Sequence, residues 1–256
     1  MAILECIEVG KAYGGLLAVR DISFAVEPGE VYAIVGPNGA GKTSLFDCIS
    51  GVSRATSGSI RFQDREIQGL RAHKICQLGL ARTFQTTVAF ESQSVLTNAL
   101  VGAVFGRLGG NSLVSFTAEA VDAAIDALVL CGLGDRQRAR AGELPVLGRK
   151  RLMLATALAS KPTVLLLDEP FGGLNPAERG QMIDLIRSIA GTGITVMMIE
   201  HVMKAVQALA DRILVMDHGQ EIAHGPPATV LRDPRVIEVY LGSHRPLDPD
   251  AESAHA

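Results

Sequence analysis

The stretch Gly36-Pro37-Asn38-Gly39-Ala40-Gly41-Lys42-Thr43 decides the fold of this 256-residue chain, because it matches the phosphate-binding pattern G-x-x-x-x-G-K-[ST]. The apolar run at residues 31–35 is typical of a strand, and residues 42–49 follow with a helical pattern. Glycines let successive backbone N–H groups point at phosphate oxygens, and the helix start adds the positive end of its dipole. A glycine-rich turn that matches by chance is the alternative. We therefore predict a phosphate-binding loop between a strand and a helix.

Two side chains of this loop carry the chemistry expected of it. Lys42 is long enough to reach the β- and γ-phosphates of a nucleotide, and the Thr43 hydroxyl can ligate Mg²⁺. The predicted nucleotide-binding residues are Gly36, Pro37, Asn38, Gly39, Ala40, Gly41, Lys42, Thr43 and Ser44.

A second stretch, Val164-Leu165-Leu166-Leu167-Asp168-Glu169-Pro170, supplies acidic side chains. Between two prolines the apolar run is too short for a helix, and it predicts a strand buried on both faces. Its carboxylates come at the C-terminal end, where ligands bind in open α/β sheets. We predict that Asp168 holds Mg²⁺ through its water shell and that Glu169 orients or deprotonates an attacking water. The alternative is a solvated acidic loop, which the phosphate-binding pattern upstream disfavours.

Composition limits the classes of protein to which the chain can belong. Lys and Arg number 24 against 27 Asp and Glu, so the net charge of -3 gives no electrostatic case for nucleic acid. The four cysteines form no C-x-x-C pair, which predicts reduced, mostly buried thiols in a cytosolic protein. We expect neither a signal peptide nor a bilayer-spanning segment. The hydrophobic fraction of 48% fits either a face buried against a partner or a generous core of parallel strands.

The pattern along the chain predicts an α/β fold with a mixed sheet. The predicted strands are residues 3–9, 22–26, 31–35, 59–62, 164–168, 194–200 and 212–216. The predicted helices are residues 42–49, 118–130, 151–159, 176–190 and 201–210. We expect Thr117 and Asn175 to cap the helices that follow them, with Pro176 at the first position of its helix.

The middle of the chain, about residues 86–160, predicts a helical subdomain inserted in this core. Residues 102–115 are rich in Gly and Ser and predict a loop between helices. Residues 243–256 contain prolines and several acids and predict a disordered tail. We therefore expect one domain over residues 1–242.

With these motifs in order, the chain resembles the ATP-binding subunit of an ABC transporter. The further matching segments are Lys11-Ala12-Tyr13-Gly14-Gly15, Thr83-Phe84-Gln85, Gly172-Gly173-Leu174-Asn175 and Ile199-Glu200-His201. The resemblance implies that Tyr13 stacks on adenine, that Gln85 links Mg²⁺ and the attacking water to the transmembrane partner, and that His201 contacts the γ-phosphate. Alone, each of these residues would have an ordinary structural interpretation. The implied fold is an ABC ATPase: a P-loop NTPase core with an antiparallel β subdomain and an inserted α-helical subdomain.

Within that superfamily the chain is most similar to importers of branched-chain amino acids. The segments that carry this likeness are residues 13–19, 79–85, 173–176 with 199–201, and 225–242. Importers of urea, amides and aromatic acids share these features, so a related solute stays an alternative.

One motif departs from the family pattern, in which Leu-Ser-Gly-Gly-Gln precedes a helix. In register with residues 149–151, the chain has Leu144-Pro145-Val146-Leu147-Gly148. A one-residue shift would align Gly148 with the second glycine but requires a deletion in the helix. In either register the serine hydroxyl is lost, so only backbone N–H groups and the helix dipole could bind the γ-phosphate held by the opposite subunit. One charge-assisted hydrogen bond is worth about 1.5–3 kcal/mol, and losing a transition-state donor slows turnover by about 10²–10³-fold.

The resemblance implies ATP and Mg²⁺ as ligands and a head-to-tail pair of ATPase subunits that sandwiches two ATP molecules. It also implies two transmembrane permease subunits, an indirect link to a substrate-binding protein, no nucleic acid, and a peripheral place on the cytoplasmic face of the membrane. Lys42, Glu169 and His201 are intact while the signature is not, so we favour a different ATPase as the second subunit over a second copy. The alternatives are a non-transport ABC ATPase, a low-turnover regulatory ABC module, and another phosphate-loop enzyme such as a kinase.

Overall fold

The computed structural model describes residues 1–85, 89–106 and 116–242 and builds them around two β-sheets. The strands are β1 (Leu4–Tyr13), β2 (Leu16–Val26), β3 (Val31–Val35), β4 (Ser57–Phe62), β5 (Arg65–Glu66), β6 (Leu80–Arg82), β7 (Val164–Asp168), β8 (Thr195–Ile199), β9 (Arg212–Asp217) and β10 (Gln220–Gly225). The helices are α1 (Lys42–Ile49), α2 (Ala72–Leu78), α3 (Val95–Phe105), α4 (Ala118–Leu130), α5 (Val146–Ala159), α6 (Pro176–Gly191), α7 (Met203–Leu209), α8 (Pro227–Val230) and α9 (Pro234–Gly242).

The larger sheet has six strands in the order β10-β9-β3-β8-β7-β6, and only the β9–β10 pair is antiparallel. Strands β3, β7 and β8 are buried along their whole length, as apolar runs covered on both faces of a parallel sheet must be. Because these strands run in parallel, their C-terminal ends meet at one edge. That edge brings together the loop after β3, the Asp168-Glu169 pair and His201.

The smaller sheet is antiparallel, in the order β2-β1-β4-β5, and forms the predicted β subdomain. It shares a hydrophobic core with α1 and with one face of the larger sheet. Strand β2 comes close to the phosphate loop: a Cβ added at Gly41 would lie 2.1 Å from the Ala18 carbonyl oxygen. The packing of the two sheets therefore excludes any side chain at the end of the loop.

Helices α3, α4 and α5 pack against one another and share a second core with the opposite face of the larger sheet. The prediction of a loop from residue 102 was wrong at its start, because α3 continues to Phe105. Gly102 serves helix packing instead, since a Cβ there would lie 1.7 Å from the Thr156 carbonyl oxygen of α5. The rest of that predicted loop, residues 107–115, and the predicted disordered tail, residues 243–256, lie outside the described residues.

Helix α5 begins at Val146, five residues before the predicted start at residue 151. Pro145 precedes it with φ -64°, a backbone angle that proline fixes in advance, and it contributes no side-chain cap. Arg149 holds the approach to the helix by donating from Nε to the Leu144 carbonyl oxygen at 2.9 Å. The last three residues of the signature-like segment are therefore helical.

The predicted caps are confirmed. The Thr117 hydroxyl accepts from the Ala120 N–H at 3.2 Å, and Asn175 forms a reciprocal capping box with Glu178 at 3.0 Å in both directions. Strands β1 and β2 are longer than predicted because the two pair along most of their length as a hairpin. The elements that sequence patterns missed are β5, β6, β10, α2, α3, α8 and α9.

Candidate active site

The phosphate loop runs from the buried end of β3 to the start of α1. Gly41 occupies the N-cap of α1 with φ 96°, a left-handed conformation that favours glycine. The Lys42 ammonium is buried and donates to the carbonyl oxygens of Gly36 at 2.7 Å and Pro37 at 2.9 Å, while Thr43 is exposed at the helix start. The loop thus curls around the lysine that was predicted to contact phosphates.

The charge on Lys42 depends on the acids at the same edge of the sheet. Burial lowers the pKa of Lys42, and the negative charges of Glu169, Asp168 and Glu200 act in the opposite direction. A buried cation is stabilised only where such counter-charges lie close to it. The phosphate loop and the acidic edge are therefore one electrostatic unit.

Glu169 stands at the centre of the site. It follows β7 in a left-handed conformation with φ 47°, and its N–H donates to the Ile199 carbonyl oxygen at 3.0 Å. Its Oε2 accepts from Gln85 Nε2 at 2.7 Å, and its Oε1 lies 3.8 Å from His201 Nδ1. The structure thus brings together three predicted catalytic residues that are far apart in sequence.

Asp168 has a partner that sequence reasoning missed. Arg82, at the end of β6, donates to Asp168 Oδ2 at 2.9 Å and to Asp47 Oδ1 at 2.6 Å. The Arg82 and Asp168 side chains are 5% and 6% exposed, so this ion pair is shielded from water. Arg82 also stacks on Phe84, with 5.1 Å from its guanidinium carbon to the ring centre. The arginine therefore links the predicted Mg²⁺ ligand to the segment that carries Gln85.

Two more charged residues at this edge were missed as functional candidates. Lys150, on α5, is buried and donates from Nζ to the Glu169 carbonyl oxygen at 3.3 Å. Glu200 is fully buried and accepts from the backbone N–H groups of Phe171, His201 and Val202. The sequence offered one indication, for Glu200 alone: it directly precedes His201, the residue predicted to contact the γ-phosphate.

Comparison with known families identifies the family of the chain that carries this site. A family model described as "ABC transporter" matches residues 19–172. The chain belongs to the ABC transporter family. A second model, described as "Branched-chain amino acid ATP-binding cassette transporter", matches residues 220–245 of this ABC ATPase.

Individual relatives agree over nearly the whole chain. The high-affinity branched-chain amino acid transport ATP-binding protein LivG of Escherichia coli (strain K12) is 36% identical over 90% of this chain and 94% of that protein. The corresponding protein BraF of Pseudomonas aeruginosa is 37% identical over 94% of this chain and 98% of that protein. A crystal structure of an ABC transporter's ATP-binding cassette in its ADP conformation superposes with a TM-score of 0.86 at 30% identity, covering 94% of this chain and 99% of that one.

These findings confirm the predicted fold and the predicted activity. The chain is an ATP-binding, ATP-hydrolysing subunit of a transporter, and such subunits dimerise and work with membrane permeases. In the part of the chain that the structure describes, no helix has both the length and the apolar character needed to cross a bilayer.

Tyr13, the residue expected to stack on adenine, lies at the tip of the β1–β2 hairpin. It pairs with Leu16, and its side chain is 46% exposed, with the Lys11 ammonium 4.6 Å from the ring centre. An exposed aromatic ring on the strand hairpin next to the phosphate loop is compatible with base stacking.

The signature-like segment of this ABC ATPase lies at the start of α5. Leu144 and Leu147 are buried, Pro145 and Val146 are exposed, and Gly148 is buried against the preceding residues. Val146 also neighbours the loop after Glu169, 4.0 Å from where a Cβ of Gly173 would lie. What the segment can present to a nucleotide is therefore backbone N–H groups and apolar side chains.

The ligands predicted for Mg²⁺ fit that ion in kind. Thr43 is exposed at the helix start. One Asp168 carboxylate oxygen accepts from Arg82, and the other remains for the ion. Gln85 donates to Glu169 through its amide nitrogen, so its carbonyl oxygen is not used in that hydrogen bond. Mg²⁺ prefers oxygen ligands and commonly binds through one or two protein groups, waters and substrate phosphates. Among the described residues, no group of three or more His, Cys, Asp or Glu is placed to hold a metal ion.

Proposed function

We propose that this chain is the ATPase subunit of an importer for branched-chain amino acids. The relatives named for such transport cover nearly all of the chain, and the second family model covers its end. The observation that carries the catalytic part is the convergence of Gln85, Glu169 and His201 beside the phosphate loop.

In this proposal each residue predicted from the sequence to act at the site has its own task. The backbone of the loop and Lys42 bind the β- and γ-phosphates, and Tyr13 stacks on adenine. Glu169 accepts a proton from the attacking water, Gln85 positions that water, and His201 donates to the γ-phosphate. Thr43 and Asp168 would hold Mg²⁺, which neutralises charge on the phosphates when bound.

The second ATPase subunit completes each site. The start of α5 would meet the γ-phosphate bound to the opposite subunit through N–H groups of its first turn, aided by the helix dipole. Because residues 144–148 have no polar side chain, the site that uses this segment is the weaker one. A different ATPase with an intact signature would give this chain's own Lys42 and Glu169 a full complement of contacts. We therefore favour a heterodimer.

A groove beside the Gln85 segment suits a permease. It has a volume of about 530 Å³ and is lined by Phe84, Phe90, Phe105, Val101 and Met153, among others. The three phenylalanines are exposed, and an apolar surface of this kind marks a protein contact. A change in the position of Gln85 relative to Glu169 would then couple the conformation of the permease to the catalytic site.

The test is the Glu169→Gln variant, studied by size-exclusion chromatography with ATP and Mg²⁺. Loss of the base should slow hydrolysis by about 10²–10³-fold and trap the closed pair, because ATP is bound but not consumed. A variant that still hydrolyses ATP at the normal rate would refute the role of Glu169. Closure of this chain alone would favour a homodimer, and closure only after addition of a second ATPase subunit would support the heterodimer.

Two further measurements separate the remaining parts of the proposal. Single-turnover rates at the two sites of the closed pair should differ, and equal rates would refute the weaker-site prediction. Uptake of labelled leucine by the complete transporter should stop with Glu169→Gln, whereas labelled urea or an aromatic acid taken up in its place would reassign the solute.

A further inference from the structure

Two buried residues of opposite charge lie behind the catalytic glutamate and have no role in the scheme above. Lys150 on α5 is 5% exposed, and Glu200 at the end of β8 is 0% exposed. Burial lowers the pKa of Lys150, and the attraction of Glu200 opposes this more strongly than that of Glu169. Keeping two such charges away from water is strongly unfavourable unless they are paired and hydrogen-bonded. A chain that keeps both has a use for their contacts.

Their hydrogen bonds are with the backbone of the turns after β7 and β8, and Glu200 Oε2 also lies 3.9 Å from His201 Nδ1. Lys150 Nζ donates to the Glu169 carbonyl oxygen at 3.3 Å, the same oxygen that accepts the Gly172 N–H at 3.2 Å. Glu200 accepts from the Phe171 N–H at 3.1 Å with one carboxylate oxygen, and from the His201 N–H at 2.9 Å with the other. Lys150 therefore connects α5 to the turn after β7, and Glu200 connects that turn to the turn after β8.

The turn they hold needs such support. Glu169 has φ 47°, a left-handed conformation that is unfavourable for a non-glycine residue and persists only where the surroundings enforce it. The direction of its carboxylate toward Gln85 and His201 depends on this backbone angle. A misplacement of about 1 Å can lower a rate by about 10²-fold.

We propose that Lys150 and Glu200 form a buried clamp, two positioning residues that fix the backbone of Glu169 and His201 for hydrolysis. This inference rests on the proposed function, in which Glu169 is the base. It also connects the two ATP sites of the pair. Lys150 lies on the second turn of α5, and the first turn of that helix belongs to the signature-like segment. A nucleotide of the opposite subunit bound at this helix start would therefore act on the same helix that holds this chain's own Glu169.

Through the clamp, the signature-like segment would transmit nucleotide contact to the turn after β7, although its apolar side chains cannot hydrogen-bond to a phosphate. Contact between the backbone at the start of α5 and the opposite nucleotide would be sensed at the Glu169 carbonyl oxygen through Lys150. In this arrangement the helix itself, rather than a serine hydroxyl, reports that the pair is closed.

The test compares Lys150→Met with Arg151→Met in the oligomer established by the Glu169→Gln experiment. Met keeps the apolar stem of Lys150 and removes the cation. Arg151 is the neighbouring basic residue on the same helix, and it donates to Gln181 on α6 at 2.9 Å and not to the turns after β7 and β8. For Lys150→Met we expect kcat to fall about 10- to 100-fold, while KM for ATP and the affinity for ADP measured by calorimetry stay within about twofold. Arg151→Met should keep the normal kcat.

A double-mutant cycle with Glu200→Gln adds a criterion that general destabilisation would not meet. If the two residues act as one unit, the loss in kcat for the double variant is close to that of the larger single loss. A normal kcat in Lys150→Met, a parallel loss of ADP affinity, or additive losses would each overturn the clamp. Should Lys150→Met not fold, Glu200→Gln alone is judged by the same split between kcat and KM.

Glu169→Gln, measured in parallel, separates failure of this inference from failure of the proposed function. Loss of hydrolysis in Glu169→Gln together with a normal Lys150→Met overturns the clamp alone. Normal hydrolysis in Glu169→Gln overturns the assignment of the base, and the clamp with it.

Discussion

The two surfaces that this ATPase offers to ATP are built in opposite ways. At the edge of the larger sheet, the buried Lys42 and Asp168 lie near the half-buried Glu169, and Asp168 is held by an ion pair with Arg82. At the start of α5, residues 144–148 have no polar side chain, and only the backbone can contact a phosphate. Proton transfer and metal binding require side chains, whereas a phosphate oxygen is satisfied by N–H groups. In the proposed pair, the chain would supply the reacting side chains of its own site and only backbone groups to the opposite one.

The helix starts show the same contrast. Helix α6, which follows the turn after β7, begins with the capping box of Asn175 and Glu178. Helix α5 begins after Pro145 without a side-chain cap. A serine there, as in the family pattern, would serve both as cap and as phosphate donor. Pro145 removes both functions at once.

The largest expected effect follows from removing the charge that holds the sheet edge. Arg82→Met would leave the buried Asp168 carboxylate and the nearby Asp47 without their shared cation. Breaking a buried ion pair from one side costs about 3–5 kcal/mol, so we expect the free energy of unfolding to fall by that amount. Urea denaturation followed by circular dichroism measures it.

The control for this prediction is Arg61→Met, which breaks a pair with Glu66 that is 3.8 Å long and half exposed. An exposed pair contributes about 0–1 kcal/mol. Equal losses in the two variants would show that the sheet edge does not depend on the Arg82 charge, and the contrast between the two surfaces would be weaker than the geometry indicates.

A gain of function is expected at the other surface. Pro145→Ser restores a hydroxyl where the family places one, and one charge-assisted hydrogen bond to the γ-phosphate is worth about 1.5–3 kcal/mol. We expect hydrolysis at the weaker site to rise about tenfold or more, measured as single-turnover rates in the closed pair. Pro145→Ala is the matched control, because it removes the proline without adding the hydroxyl. If both variants hydrolyse ATP at the same rate, the missing hydroxyl does not limit this site.

How much of this could be predicted from the sequence depended on whether the signal was local. Strands β3 and β7 were predicted with their observed bounds, because apolar runs next to glycine and proline are read within a few residues. The residues of the phosphate loop and the Asp-Glu pair followed from the same local patterns. Gln85 and His201 came from the family resemblance, since a single Gln or His has no local signature.

What could not be predicted arises from contacts between distant segments. Arg82 meets Asp168 across 86 positions, and nothing around either residue indicates the pairing. Lys150 resembles any basic residue of an exposed helix until α5 is packed against the turn after β7. Helix α3 is apolar except for Thr97 and Asn98 and contains a glycine, so it lacks the extended polar face that would mark it as a helix. Its place in the fold depends on the close approach of Gly102 to the backbone of α5, which the local sequence does not show.

The smallest expected effect tests the contrast between the two helix starts directly. Asn175→Ala removes the side chain that accepts from the Glu178 N–H, and loss of such a cap costs about 0.5–2 kcal/mol. For a domain of this size about 1 kcal/mol corresponds to a fall in Tm of about 2–4 °C, which calorimetry resolves. Asn175→Asp, which keeps an acceptor oxygen, should retain the wild-type Tm. Because α5 already folds without a cap, an unchanged Tm in Asn175→Ala would mean that α6 also relies on packing alone, and the two helix starts would then differ in their phosphate chemistry and not in how they are stabilised.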